Sequence, residues 1–196
     1  EELGFRIKHL GIARRAAKGI ELRVHPTLIP AEELLANVNG VKNAVLVQAN
    51  PVGPTLYYGA GAGEGPTASA VVADIVDIVR DIAYTEDGAG TIPQLAFEAL
   101  SDLTILSREE MTTGYYIRIN AEDQMGVLAD VTTILSRAGI SIDAIMQQPR
   151  LKDLIPIVIM TDPVVEAKMD AALQQIQALP FIHGEIIRIR LESLDN

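Results

Sequence analysis

The chain has 196 residues, 48% of them apolar, and a formal net charge of -10. That length allows one large domain or two small ones with a real core, and the acidic balance works against nucleic acid, whose phosphates call for Lys and Arg. The absence of cysteine removes disulfides, thiol catalysis and cysteine metal sites.

In chain order, Phe5 to Ala13 and Ile20 to Val24 read as strands. The stretch from His25 to Pro30 is expected to stop the second one, because proline cannot donate to a ladder. Ala31 to Ala36 forms a short helical turn, and Asn37-Val-Asn-Gly40 is a turn signal. Asn43 to Gln48 and Thr55 to Tyr58 follow as strands around the turn at 50–53. Short connections between these strands predict antiparallel or mixed pairing. Pro66 to Ala83 carries Ala70, Val71, Ile75, Ile78, Val79 and Ile82 at helical spacing, with Asp74, Asp77 and Asp81 on the wet side. Residues 84–114 have linker composition, with a short helix expected over Pro93 to Leu100 and a break at Thr112-Thr-Gly114.

From Tyr115 onward the pattern changes. Tyr115 to Asn120, Ile140 to Met146, Leu154 to Met160 and Glu185 to Leu191 read as strands. Gly126 to Ala138 and Val164 to Leu179 read as amphipathic helices. Pro156 predicts an edge or bulge for the third strand. The order βαββαβ is the ferredoxin-like arrangement, with both helices on one face of a four-stranded antiparallel sheet. The expected fold class is therefore α+β: a mixed or antiparallel sheet with helices over 1–83, a linker over 84–114, and a ferredoxin-like domain over 115–196.

Two segments carry candidate chemistry. The first is Tyr58-Gly-Ala-Gly-Ala-Gly-Glu-Gly-Pro-Thr67, a strand end, a glycine turn and a helix start. Proline suits the first turn, where its missing N–H has no intrahelical partner. Free amides and the helix dipole there favour an anionic ligand. The spacing is neither a dinucleotide fingerprint, since Pro66 or Glu64 falls where the third glycine belongs, nor a P-loop. A tight structural turn is the other reading. The second segment is Asp123-Gln-Met-Gly-Val-Leu128. Its helix start offers amides to a carboxylate, while Asn120 or Asp123 suits an ammonium or hydroxyl group; plain capping by Asp123 is the alternative. His9, His25 and His183 are scattered, so no metal centre is expected. The early basic residues Arg6, Lys8, Arg14, Arg15, Lys18 and Arg23 fit a solvated edge or an acidic partner. No apolar run spans a bilayer and no secretory signal opens the chain, so a cytoplasmic protein is expected.

At Gly4 to Arg14, Val24 to Pro30, Leu35 to Val45 and Gly59 to Asp74, the sequence resembles the homoserine dehydrogenases of the long bacterial type. The part from Tyr115 resembles an ACT domain, a βαββαβ regulatory module that usually binds amino acids. The resemblance implies reduction of aspartate semialdehyde to homoserine with NADPH or NADH, on the route to threonine and methionine. It implies that this chain is the C-terminal part, with the Rossmann domain and the catalytic lysine upstream; Lys8, Lys18 and Lys42 do not sit in that motif. By the same resemblance Gly63 is the leading cofactor contact, with Gly61, Gly65, Pro66 and Thr67 beside it. The turn holding Asn120, Asp123, Gly126, Val127 and Leu128 matches the effector loop, with threonine as the expected effector and Met125 where the family often has proline. A homo-oligomer, dimer or tetramer, is implied, built partly from the first-half strands. Taken alone, the chain is expected to dimerise and bind an amino acid without catalysis.

Overall fold

The structure, a computed structural model, describes residues 3–84, 102–150 and 154–194. The expected short helix at 93–100 lies outside the described residues. Contacts divide the chain into two units: residues up to Ala36 together with those from Leu103 onward, and the stretch from Asn37 to Asp102.

The first unit is built on a six-stranded mixed sheet of order β1-β2-β8-β5-β7-β6. Strands β1 (Phe5–Ala16) and β2 (Gly19–Pro30) form a long antiparallel hairpin. Gly19 is required there because a Cβ would lie 2.2 Å from the Thr104 carbonyl oxygen. The incoming chain runs alongside, with the Ile20 N–H donating to Thr104 O at 2.8 Å and the Leu106 N–H to Ile20 O at 2.9 Å.

Contrary to expectation, β2 does not stop at His25 but runs through Pro26 to Pro30. The Leu28 carbonyl accepts from the Glu192 N–H at 3.0 Å, so even-numbered positions of β2 turn their polar groups toward β8. Pro26 and Pro30 fall on that side, flanking a parallel pairing that involves only Thr27 and Leu28. Their missing N–H groups leave the hairpin ladder to β1 intact.

The rest of this unit is the βαββαβ module. It comprises β5 (Thr112–Glu122), α2 (Val127–Arg137), β6 (Ile142–Gln147), β7 (Leu154–Val165), α3 (Glu166–Gln177) and β8 (Ile187–Leu191). Thr112 and Thr113 belong to β5, and the break expected at 112–114 is a register shift between Thr113 and Tyr115. Strand β7 lies between β5 and β6, neither at an edge nor bulged at Pro156 as that proline suggested. Pro156 accepts from Gln148 N–H at 2.9 Å, one residue past the end of β6, so its lost donor falls where that ladder has already run out. Tyr115, Ile117, Ile119 and Ala121 of β5 pack against Val131 and Leu135 of α2 and Met169 and Ile176 of α3. Both helices thus cover one sheet face.

The opposite face is apolar and open on the hairpin. Ile7, Leu22 and Val24 are exposed there, and Leu28 pairs beside Leu191 of β8 on the same side.

The second unit contains β3 (Lys42–Ala49) paired antiparallel with β4 (Gly53–Ala60), and α1 (Glu64–Tyr84). Helix α1 begins two residues before Pro66, which still lies in the first turn, where no intrahelical donor is lost. Its apolar positions Val71, Ile75, Ile78, Val79 and Ile82 are exposed.

Candidate functional site

The glycine loop joins β4 to α1, and its glycines have different reasons to be there. Gly63 has φ +122°, a conformation that other residues rarely adopt, and its carbonyl takes the Thr67 N–H at 3.1 Å. At Gly61 a Cβ would lie 2.4 Å from Asn43 Nδ2, the tip of an exposed side chain that can move aside. At Gly59 and Gly65 a Cβ would meet nothing within 4 Å. Both leave bare backbone facing open space, Gly59 within β4 and Gly65 in the first turn of α1. That surface fits close approach by an anionic nucleotide. Pro66 and Thr67 sit in the same first turn.

A second site lies at the end of β5. Glu122, Asp123, Gln124, Gly126, Val127, Leu128, with Gln147 and Ile155 across from them, line a cavity of about 170 Å³. Gly126 has φ +95° and caps α2 without a side-chain bond. The reading of Asp123 as the cap is therefore not what the structure has: its carboxylate faces Arg150 at 3.4 Å. The start of α2 is left with free amides aimed at the cavity's end of the helix. Of the expected effector residues, Asp123, Gly126, Val127 and Leu128 come together here; Asn120 does not line the cavity. Its carbonyl instead accepts from His183 N–H at 2.9 Å. His183 Nε2 in turn meets Glu122 Oε1 at 2.8 Å.

Sequence reasoning missed a buried charge network under α3. Glu166 is fully buried. It accepts from Tyr115 OH at 2.6 Å and Arg190 Nε at 2.9 Å, and Arg188 stands 3.3 Å away. Burial alone would raise the Glu166 carboxyl, but Arg190, Tyr115 and Arg188 outweigh it and hold it below its ordinary value. Burial first, then its bond to Glu166, pushes the Tyr115 hydroxyl well above the usual range. Farther along β8, Glu192 binds Arg23 at 2.6 Å and also binds Arg14. Two of the early basic residues are thus internal ion-pair partners rather than a solvated edge. His25 is held below its ordinary pKa by burial and by Arg190 and Arg23. The one available sequence signal was the alternation Arg188, Arg190, Glu192 on a strand whose other face is apolar. Among the described residues no cluster of His, Asp and Glu has metal-binding geometry, and no helix is long and apolar enough to cross a membrane.

A four-stranded antiparallel layer backed by two helices, with a small cavity at the first strand-to-helix turn, defines a ferredoxin-like α+β module, and residues 115–181 match the ACT domain. Residues 1–76 match the homoserine dehydrogenase family. The chain is 53% identical over 199 residues to a homoserine dehydrogenase of Pseudomonas aeruginosa, covering 100% of this chain and 45% of that protein. It is 50% identical to the one of Neisseria gonorrhoeae, covering 99% and 45%. The crystal structure of a homoserine dehydrogenase from Thiobacillus denitrificans superposes with a TM-score of 0.90 at 53% identity, over 98% of this chain and 44% of that one. The chain belongs to the homoserine dehydrogenase family, and it carries the end of the dehydrogenase domain followed by an ACT domain. It spans about half the length of the relatives it matches.

Proposed function

We propose that the protein this chain represents is an NAD(P)-dependent homoserine dehydrogenase that reduces L-aspartate 4-semialdehyde to L-homoserine in cytoplasmic threonine and methionine synthesis. The bound nicotinamide nucleotide supplies the hydride. The observation that carries the reading is the bare backbone at Gly65, in the first turn of α1, within the residues that match this family. This chain's share of the work is positional. Gly61 and Gly63 shape the turn, while Gly65, Pro66 and Thr67 present unshielded main chain to the nucleotide. Proton transfer is assigned to the parts of such a dehydrogenase that this chain, spanning 45% of its relative, does not cover. The full-length protein should therefore oxidise NADPH or NADH when given the semialdehyde, and the 196-residue chain alone should not. Turnover by the isolated chain would overturn that division of labour.

The ACT domain is read as a sensor for an amino acid, with threonine as the effector. Free amides at the start of α2 suit its carboxylate, and the acidic rim of Glu122 and Asp123 suits its ammonium. A cavity of about 170 Å³ is smaller than the roughly 300–1,000 Å³ of drug-sized sites, which matches so small a ligand. The second reading is that the isolated chain is a dimerising amino-acid-binding module, favoured by the open apolar hairpin face. Calorimetry of the chain with L-threonine tests the sensor role; no heat at millimolar threonine counts against it.

A further inference from the structure

We propose that His183 is a positioning residue for the ACT cavity. It fixes the Glu122 carboxylate at the rim as the acceptor for the ligand's ammonium group. The inference rests on the amino-acid-sensor reading above and names a residue outside the effector loop.

The segment before β8 is bound to the end of β5. Glu122 N–H donates to Phe181 O at 3.0 Å and His183 N–H to Asn120 O at 2.9 Å, with an Ala121–Ile182 bridge between them. The backbone of His183 is thereby held in register opposite the cavity rim. Its Nε2 lies 2.8 Å from Glu122 Oε1, and Glu122 lines the cavity. Both side chains are about half exposed. An untethered Glu in that position has several rotamers to lose on binding a ligand; the imidazole removes much of that freedom beforehand.

The two acids at the rim are not equivalent. Asp123 faces the guanidinium of Arg150 at 3.4 Å, a permanent cation that offsets its charge. Glu122 faces a histidine. Its Nε2 orients the carboxylate from 2.8 Å, and among the described residues no guanidinium stands against Glu122 as Arg150 does against Asp123. Glu122 is therefore the rim acid better suited to an incoming ammonium. The free amides at the start of α2 take the carboxylate end, so the cavity reads a zwitterion from both ends.

The test is calorimetry on the 196-residue chain with two probes: L-threonine, and its analogue with a hydroxyl in place of the amino group. The unaltered chain should prefer threonine. His183→Ala should weaken threonine binding about tenfold, the scale of one hydrogen bond to a charged group, and leave the analogue unaffected. Glu122→Gln should do the same, and the double variant should be no worse than either single one, as expected for coupled groups. His183→Gln, which keeps an N–H donor, should recover most of the lost preference. Equal weakening of both probes by His183→Ala would reveal a merely structural residue and overturn the inference. So would threonine binding at unaltered strength. If the unaltered chain takes up neither threonine nor any other common amino acid, the sensor reading itself fails and the inference falls with it.

Discussion

Glu166 shows how much one buried carboxylate can hold together. Its two oxygens are met by Tyr115, Arg190 and Arg188 at the start of α3. Glu166→Gln leaves the part-buried Arg190 without its counter-charge, so it should cost about 3 kcal/mol, the low end for a broken buried pair, in urea unfolding at neutral pH. The sign of its pH dependence follows from the depressed folded-state pKa. The Glu166 contribution is present above the ordinary value of 4.5 and is lost as pH falls through the lowered one. The Gln variant should therefore show a shallower loss of stability below pH 4.5 than the parent chain, and an unaltered acid limb would refute the assignment. The glycine loop gives a second residue-scale expectation. Gly63→Ala confounds two effects, because φ +122° strains any other residue whether or not a nucleotide binds. Gly65→Val separates them: its Cβ meets open space. In the full-length protein this variant should keep its melting temperature yet lose nucleotide affinity. Retained affinity would remove Gly65 from the cofactor surface.

At the scale of elements, most strands and the three α-helices among the described residues were legible because each carries its own period. The errors cluster at prolines. Pro26 looked like a strand breaker and Pro156 like the mark of an edge or bulge, yet both sit inside long paired strands, since a missing N–H matters only on the side where a neighbour is paired. Sequence gives the residue but not the side. The turn at 123–128 was legible through its glycine; the cap was not, because Asp123 turns to Arg150 and leaves Gly126 at the helix start. The ion pair joining hairpin to module was invisible for a different reason: Arg23 and Glu192 stand 169 positions apart. That pair is nearly solvent-free, so Glu192→Gln should destabilise the chain by about 3–5 kcal/mol. Replacing Arg23 and Glu192 together by methionine should cost less than the Glu192→Gln change. Denaturant unfolding of the variants decides the point, and simple additivity would mean the two groups are not coupled.

At the scale of the whole molecule, the chain presents more apolar surface than an isolated soluble protein usually tolerates. Ile7, Leu22 and Val24 line one hairpin face, and a row of valines and isoleucines runs along α1. Extended apolar patches of this kind mark surfaces that meet another protein. We therefore expect the chain to sediment as a dimer or larger species. A Leu22→Lys, Val24→Glu variant should shift it toward monomer while its circular dichroism stays the same. An unchanged mass would place the contact elsewhere.

Strand β8 is shared property. On one side it completes the βαββαβ layer, and on the other it lies along β2, tied by Glu192 to Arg14 and Arg23. An engineer who cuts the gene just before Thr112 to transplant this module onto another enzyme would strip β8 of that neighbour and leave Glu192 without either arginine partner. Transplants that carry the β1–β2 hairpin along should stay soluble where the minimal excision precipitates.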